Sequence, residues 1–371
     1  MQIGVPKEIK NHEYRVGLTP ESVAELVADG HHLMLETDAG LGIGADDEIY
    51  RQHGAEIVMS AEEIFARADM IVKVKEPQAS ERALLRPGQI LYTYLHLAPD
   101  PAQTHDLIKS GAVCIAYETV TSADGDLPLL KPMSQVAGRL SVQVGAAALQ
   151  KHAGGRGVLL GGVPGVAPAK VVIIGGGDVG FNAAQMAVGL QADVTILERS
   201  NSVMARLNAQ FGVTAKIIRS SPSLLSELIK TADMVIGAVL IPGAAAPKLI
   251  SRDMLKTMQT GSVLVDVAID QGGCFETSKP TTHDEPTYEV EGIVHYCVAN
   301  MPGAVARTST YALNAATLFH AKRIARLGWK EALATDPHLR AGLNVCEGQL
   351  TYAAVGEALG ITTVSPEQML G

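Results

Sequence analysis

The sequence predicts an α/β protein with two Rossmann-like domains, each built on a parallel sheet. Three observations carry this. A turn containing Gly175, Gly176, Gly177 and Gly180 follows four β-branched residues, Val171–Ile174, and opens into a helix of small residues. Ahead of it, short apolar strands alternate with helical stretches, as a parallel sheet with covered faces requires. The chain has 371 residues, too many for one ordinary core.

Taken in order, Ile3–Val5 is a strand, and Thr19-Pro20 opens a helix that runs to Gly30, with Thr19 as N-cap and proline at the first helical position. Further strands are predicted at His32–Glu36, Ile57–Met59, Met70–Val74, Ile90–Leu95 and Val113–Tyr117, with helices such as Ala61–Ala68 and Ala102–Ser110 between some of them. Ser134–His152 reads as a long helix with Val136, Leu140, Val144 and Leu149 near one face, and a glycine- and proline-rich passage, Gly154–Pro168, leads to the glycine turn. Beyond Asp193–Leu197, strands at Ala215–Ile218, Met234–Leu240, Val263–Ala268 and Val294–Ala299 alternate with helices near Leu224–Lys230 and Arg252–Met258, completing a six-strand dinucleotide fold by about Asn300. The remaining C-terminal stretch reads as helical: Ser309–Leu327, Lys330–Ala334 and Leu350–Leu359.

Composition narrows the function. With 47% hydrophobic and 19% charged residues and no low-complexity run, the chain folds compactly. Aromatics are 4% and glycines number 37, so aliphatic, closely approached cores are expected. A net charge of −9 argues against nucleic acid and anionic membranes and leaves a small-molecule partner. The cysteines, Cys114, Cys274, Cys297 and Cys346, form no CxxC and read as reduced, mostly buried thiols. The opening MQIGVPKEIKNHEYR has no apolar signal core, and the apolar runs near Gly157–Ala169 and Met234–Pro247 are short and broken by proline, so a cytoplasmic protein is expected. No His, Asp or Glu cluster has metal-ligand spacing.

The glycine turn carries the first chemical assignment. Gly175 turns the backbone, Gly177 lets a pyrophosphate approach the main chain, and Gly180 lets helix and strand pack closely. The helix N-terminus offers N–H groups to phosphate, and Glu198, ending the second strand, is placed to accept a ribose hydroxyl. Glu198 repels a 2′-phosphate and favours NAD, whereas Arg199 beside it works the other way.

In open parallel sheets, ligands lie beyond the carboxyl ends of the strands. In the first domain that rule selects Arg15, Lys75, His96 and Glu118. Arg15 and Lys75 suit a small carboxylate, the first as a fork and the second as a point charge, and His96 suits proton transfer. Each has a plainer alternative: the two cations as surface charges, as Lys73 is read, and His96 as a hydrogen-bonded structural residue. In the nucleotide domain Asp270 and Asn300 stand at strand exits, facing the same cleft if the domains close on each other, and Gly272-Gly273 suits close approach to a ligand near Asp270.

At these residues the chain resembles bacterial alanine dehydrogenase over essentially its whole length. Gly4–Pro20, KVKEP at Lys73–Pro77, YLHLAP at Tyr94–Pro99, GGGDVG at Gly175–Gly180, Asp266–Tyr288 and YCVANMPGAV at Tyr296–Val305 carry the likeness. Gly17, Asp178 and Val203 depart from the family pattern, the last in place of a basic residue. The resemblance implies that Arg15 and Lys75 hold the substrate, that His96 is the acid/base assisted by Asp270, and that the cofactor is NAD. It further implies NAD contacts from Ser134, Asp178, Val179, Glu198, Ser220, Val239, Leu240, Val267, Ala268, Ile269, Asp270, Lys279, Val298, Ala299, Asn300 and Met301. The implied architecture is a discontinuous catalytic domain, residues 1–128 plus 307–371, around a nucleotide domain, residues 129–306, with the active site in the interdomain cleft. A homohexamer and small substrates, L-alanine, pyruvate and ammonium, are implied as well. The alternative is a hydride-transfer component like the NAD-binding part of proton-pumping transhydrogenase.

Overall fold

The computed structural model describes residues 1–239 and 246–371 and divides into two units, Met1–Met133 with Gly303–Gly371, and Ser134–Pro302. The first unit begins with β1 (Gln2–Val5), β2 (His32–Glu36), β3 (Glu56–Val58), β4 (Met70–Val72), β5 (Ile90–Thr93) and β6 (Val113–Ala116). The second holds β7 (Lys170–Ile174), β8 (Asp193–Glu198), β9 (Ala215–Arg219), β10 (Met234–Gly237), β11 (Val263–Asp266), β12 (Thr287–Val290) and β13 (Ile293–Tyr296). The chain then returns to the first unit with β14 (Leu343–Cys346) and β15 (Gln349–Leu350).

The sheet orders are β15-β14-β6-β5-β4-β1-β2-β3 and β12-β13-β11-β10-β7-β8-β9. In each, the six parallel strands run sixth-fifth-fourth-first-second-third, the doubly wound order, and the direction of winding reverses between β1 and β4 and between β7 and β10. Those reversals open the crevices in which ligands of this fold bind.

Both sheets are mostly parallel, as expected, and each adds antiparallel strands at one edge: β12 pairs antiparallel with β13, β14 with β6, and β15 with β14. The same physical reason applies to both hairpins. Glu291-Gly292 (φ 52° and 77°) joins β12 to β13, and Glu347-Gly348 (φ 48° and 87°) joins β14 to β15. Positive φ at both central residues is what a tight two-residue hairpin turn requires. Glu-Gly is a weaker turn signal than Asn-Gly, and strands of two to four residues show little period. The C-terminal stretch is therefore only partly helical, with helices Ala306–Leu327, Trp329–Ala334 and Ala353–Leu359, and Leu350 belongs to β15. Asn344 shows why β14 stays in place: its buried amide donates to the Thr119 hydroxyl at 2.7 Å and the Gly342 carbonyl at 3.0 Å.

Thr19 caps Pro20–Ala28 as expected, accepting from the Ser22 N–H. The long helix spans Lys131–Ala148, and Lys151–Ala153 is a separate 3₁₀ turn ending at Gly154 with φ 87°. Ser200 caps a helix at Asn201–Phe211 to which the sequence reading assigns no element.

One apolar core packs Met34, Ile71, Leu91 and Cys114 against Ile64, Phe65 and Leu107. Its counterpart in the second unit packs Val172, Ile174, Val235 and Leu264 against Leu225, Ile229, Leu255 and Phe275. The first unit is less aliphatic than composition suggests. Tyr92, Tyr94 and Tyr117 form a buried edge-to-face cluster with ring centroids 4.4 and 5.1 Å apart. Their hydroxyls donate to the Thr317, Leu129 and Lys73 carbonyls, so the polar tips are satisfied. All four cysteines are buried and unbridged. Among the described residues no helix is long and apolar enough to cross a membrane.

Candidate active site

In the first unit each candidate follows a strand at its carboxyl end: Arg15 after β1, Lys75 after β4, His96 after β5 and Glu118 in the 3₁₀ turn Tyr117–Thr119 after β6. Arg15 and Lys75 therefore come from the two strands flanking the winding reversal. The surface-charge alternative fails for both, since Arg15 is 2% and Lys75 8% exposed.

Arg15 is held by Glu13, which accepts Nε at 2.7 Å and Nη2 at 2.5 Å, while Nη1 lies 3.0 Å from the Met133 sulfur. Burial works against the guanidinium charge. The Glu13 hydrogen bonds and charge, with smaller help from Tyr94 and Glu8, more than offset it and raise its pKa. The fork is thus oriented before any ligand arrives.

Lys73 corrects the sequence reading more sharply, because it is fully buried between two carboxylates, Glu8 at 3.0 Å and Glu81 at 2.7 Å. Burial lowers its proton affinity, but Glu8 and Glu81 outweigh burial and keep it charged. The other Glu8 oxygen accepts the Val74 N–H at 2.7 Å and the Lys75 N–H at 3.3 Å, and the Thr93 hydroxyl donates to the Lys75 carbonyl at 3.0 Å. Lys75 is consequently mounted on a buried ionic block. Its Nζ lies 3.9 Å from Glu76, which also pairs with Lys10. Burial raises the Glu76 carboxyl, but Lys75 and Lys10 more than reverse this and hold it below the usual carboxylate range.

His96 has a left-handed backbone, φ 51°, a conformation costing a non-glycine residue about 1–3 kcal/mol. Glu118 stabilises that turn: its oxygens accept the Leu95 N–H at 3.1 and 3.2 Å and the His96 N–H at 2.6 Å, and Nδ1 lies 3.8 Å away. The ring stacks on Tyr94 with centroids 5.7 Å apart and planes 5° apart, which fixes the ring plane while leaving the imidazole half-exposed.

In the second unit Gly175 has φ 98°, and the space over Gly177 is open to 4 Å, so a phosphate can reach that main chain. The helix Asp178–Gly189 starts there, with Asp178 and Val179 in its first turn. A Cβ on Gly180 would lie 1.8 Å from the Gly175 carbonyl oxygen and 3.3 Å from Ile173, so the helix is pressed onto β7. Gly180→Ala should cost about 1–3 kcal/mol of stability, read as a lower melting temperature, and an unchanged melt would contradict this packing. Glu198 accepts the Gly176 N–H at 2.7 Å, Arg199 N–H at 2.6 Å and Ser200 N–H at 2.8 Å, tying β8 to the turn. The Ser220 N–H donates to the Glu198 carbonyl at 2.8 Å.

Ser134 lies in the helix Lys131–Ala148, Val239 follows β10, and Val267 to Asp270 follow β11, with Asp270 exposed in the 3₁₀ turn Ile269–Gln271. Leu240 lies outside the described residues. Lys279 places its ammonium over the Tyr288 ring at 4.4 Å. Val298, Ala299, Asn300 and Met301 follow β13, and Asn300 is left-handed, φ 64°, with its carbonyl 3.3 Å from His283 Nε2. Of Gly272 and Gly273, the first has open space to 4 Å around it, whereas a Cβ on the second would lie 2.6 Å from the Asp266 carboxylate, so the close approach at Gly273 is to that side chain. Sequence reasoning also missed Glu8, Glu13, Glu76 and Asp266, all inside the motifs that carry the family resemblance. Among the described residues no group of three or more His, Cys, Asp or Glu side chains is arranged to hold a metal ion.

The family models for the alanine dehydrogenase/PNT N-terminal and C-terminal domains match residues 4–137 and 141–353. The chain belongs to the alanine dehydrogenase/PNT family. Within it, the chain is 57% identical over 371 residues to an alanine dehydrogenase of Halomonas elongata and 54% identical to one of Methanococcus maripaludis, with all of both chains covered in each comparison. A solved L-alanine dehydrogenase superposes with a TM-score of 0.94 at 52% identity, covering 97% of this chain and 99% of that one. A transhydrogenase from Sinorhizobium meliloti gives 0.83 at 25% identity, covering 95% of this chain and all of that one. One turn after Val203, Arg206 donates to the Gly176 carbonyl at 3.1 Å and supplies a cation beside the glycine turn.

Proposed function

We propose that this chain catalyses the reversible oxidative deamination of L-alanine, in which alanine, NAD and water give pyruvate, ammonium, NADH and a proton. The observation that carries the reading is the buried Arg15 fork, Lys75 on its ionic block and His96 stacked on Tyr94, all at carboxyl ends of one sheet's strands, in a chain matching alanine dehydrogenases over their whole length.

The second unit fits a dinucleotide: open space over Gly177, a helix N-terminus beside it, and the Glu198 carboxylate at the end of β8. Ser134, Ser220, Val239, Lys279, the main chain of Val267–Asp270 and the residues Val298 to Met301 complete the assigned contacts. NAD held there would supply the acceptor for the hydride of the substrate α-carbon. Glu198 favours NAD over its 2′-phosphorylated form.

Arg15 and Lys75 hold the substrate carboxylate and carbonyl. The neutral amine of alanine pushes out the hydride, leaving an iminium, whose positive charge Asp270 stabilises. His96 takes the proton from the water that attacks the iminium, and after the carbinolamine forms it protonates the departing ammonia.

Two measurements test this reading. NADH absorbance with alanine, serine and glycine, and with ammonium plus pyruvate or glyoxylate in reverse, should show alanine and pyruvate turned over. Since the amine must be unprotonated, deamination should accelerate toward alkaline pH, and a flat profile would count against this order of steps. Glu118→Gln weakens the clamp on the His96 backbone and should lower turnover by about tenfold, while wild-type turnover in that variant would make the clamp idle. The likeness to a transhydrogenase favours one second reading, hydride delivery to a partner domain. NADH formation with alanine alone separates the two. The family resemblance also implies a cytoplasmic homohexamer, and light scattering on the purified chain measures its assembly.

A further inference from the structure

We propose that Asp266 is the positioning residue that shapes the dinucleotide-facing loop, holding Asp270 and the main chain of Val267–Ile269 where the cofactor meets them. This assignment rests on the dinucleotide reading of the second unit and goes beyond it by naming what builds the loop.

Asp266 ends β11 and is fully buried. One carboxylate oxygen accepts the Ala268 N–H at 3.1 Å, at the start of the turn that carries Asp270. The other accepts the Cys274 N–H at 2.7 Å and the Ser278 hydroxyl. One side chain thus gathers donors from both ends of the loop. Gly273, with φ 79°, passes so near that any Cβ would lie 2.6 Å from the carboxylate and 2.7 Å from the Ser278 Cβ. From another side Lys248 donates to the Gly272 carbonyl and to the Gly273 carbonyl at 2.9 Å, and the Leu249 N–H to the Cys274 carbonyl at 2.7 Å. The loop is therefore bound at its centre and along its return.

A carboxylate suits the centre because both of its oxygens only accept, and every group aimed at it donates. Asparagine would turn an NH₂ group toward the Cys274 amide or toward the Ala268 amide, setting donor against donor. The loop could then relax without unfolding the sheet, since β11 pairs on both sides through its own backbone.

The test is titration of the full-length protein with NADH, followed by nucleotide fluorescence, for Asp266→Asn and Ser278→Ala, with melting curves and steady-state constants alongside. The assignment expects Asp266→Asn to weaken NADH binding by about tenfold and Ser278→Ala by about threefold, with the KM for NAD rising in step. A merely structural role would lower the melting temperature and the folded fraction but leave the affinity of the folded protein unchanged. A folded Asp266→Asn with wild-type NADH affinity overturns the assignment. If that variant does not fold, wild-type affinity in Ser278→Ala overturns it instead. Failure of the unaltered protein to bind NADH would overturn the dinucleotide reading itself and this assignment with it, whereas failure to use alanine would leave the NADH result standing.

Discussion

Replacing His96 by Ala lowers turnover by ~10²–10⁴, the usual worth of a positioned acid/base. The loss falls on kcat, because the substrate carboxylate is assigned to Arg15 and Lys75, and NADH binding stays near wild type. Alanine at this position must still adopt the left-handed backbone that His96 holds at φ 51°, so part of any loss could come from the turn. His96→Asn separates the two effects. Asparagine tolerates the left-handed region but cannot take up the proton at neutral pH, so it should be about as inactive as alanine while melting closer to wild type. Wild-type turnover in either variant would remove His96 from the chemistry. Normal turnover in the asparagine variant with a loss only in the alanine variant would assign the residue to the turn.

Lys73→Met should destabilise the protein by about 3–5 kcal/mol, the cost of leaving buried charge uncompensated. The substitution strands two carboxylates, Glu8 and Glu81, which the ammonium holds at 3.0 and 2.7 Å. Urea unfolding followed by circular dichroism measures it. The consequence reaches the site, because Glu8 also receives the Val74 and Lys75 amides, so the KM for alanine should rise as Lys75 loses its mounting. Adding Glu8→Gln and Glu81→Gln to Lys73→Met removes the stranded charges and should recover most of the stability, but not the KM. A loss below about 1 kcal/mol in the single variant would rank this block with ordinary surface ion pairs.

Much of the site was legible without coordinates, since strand exits follow from where an apolar run stops, and that is local. IVKVK, ILYTYLH and VCIAYE each end in a residue that the structure leaves at the carboxyl edge of the first sheet. What surrounds those residues was not legible. Glu8 and Lys73 are neighbours only because β1 and β4 pair, and Glu118 reaches the His96 amide only because β5 and β6 do. Asp266 and Gly273 stood in a motif whose glycines suggest a ligand, and only the folded loop shows that the glycine makes room for the carboxylate.

By itself the sequence determined the two doubly wound sheets, the glycine turn at the end of β7 and the residues at the strand ends. Those depend on side-chain period and on the φ that glycine allows, both properties of a few consecutive residues. Only the tertiary structure decided which charges are buried together, which carboxylates hold the Lys75, His96 and Asp270 turns, and that two hairpins make the sheets mixed. Electrostatic pairing and strand direction depend on which distant segments become neighbours, and no local pattern encodes that.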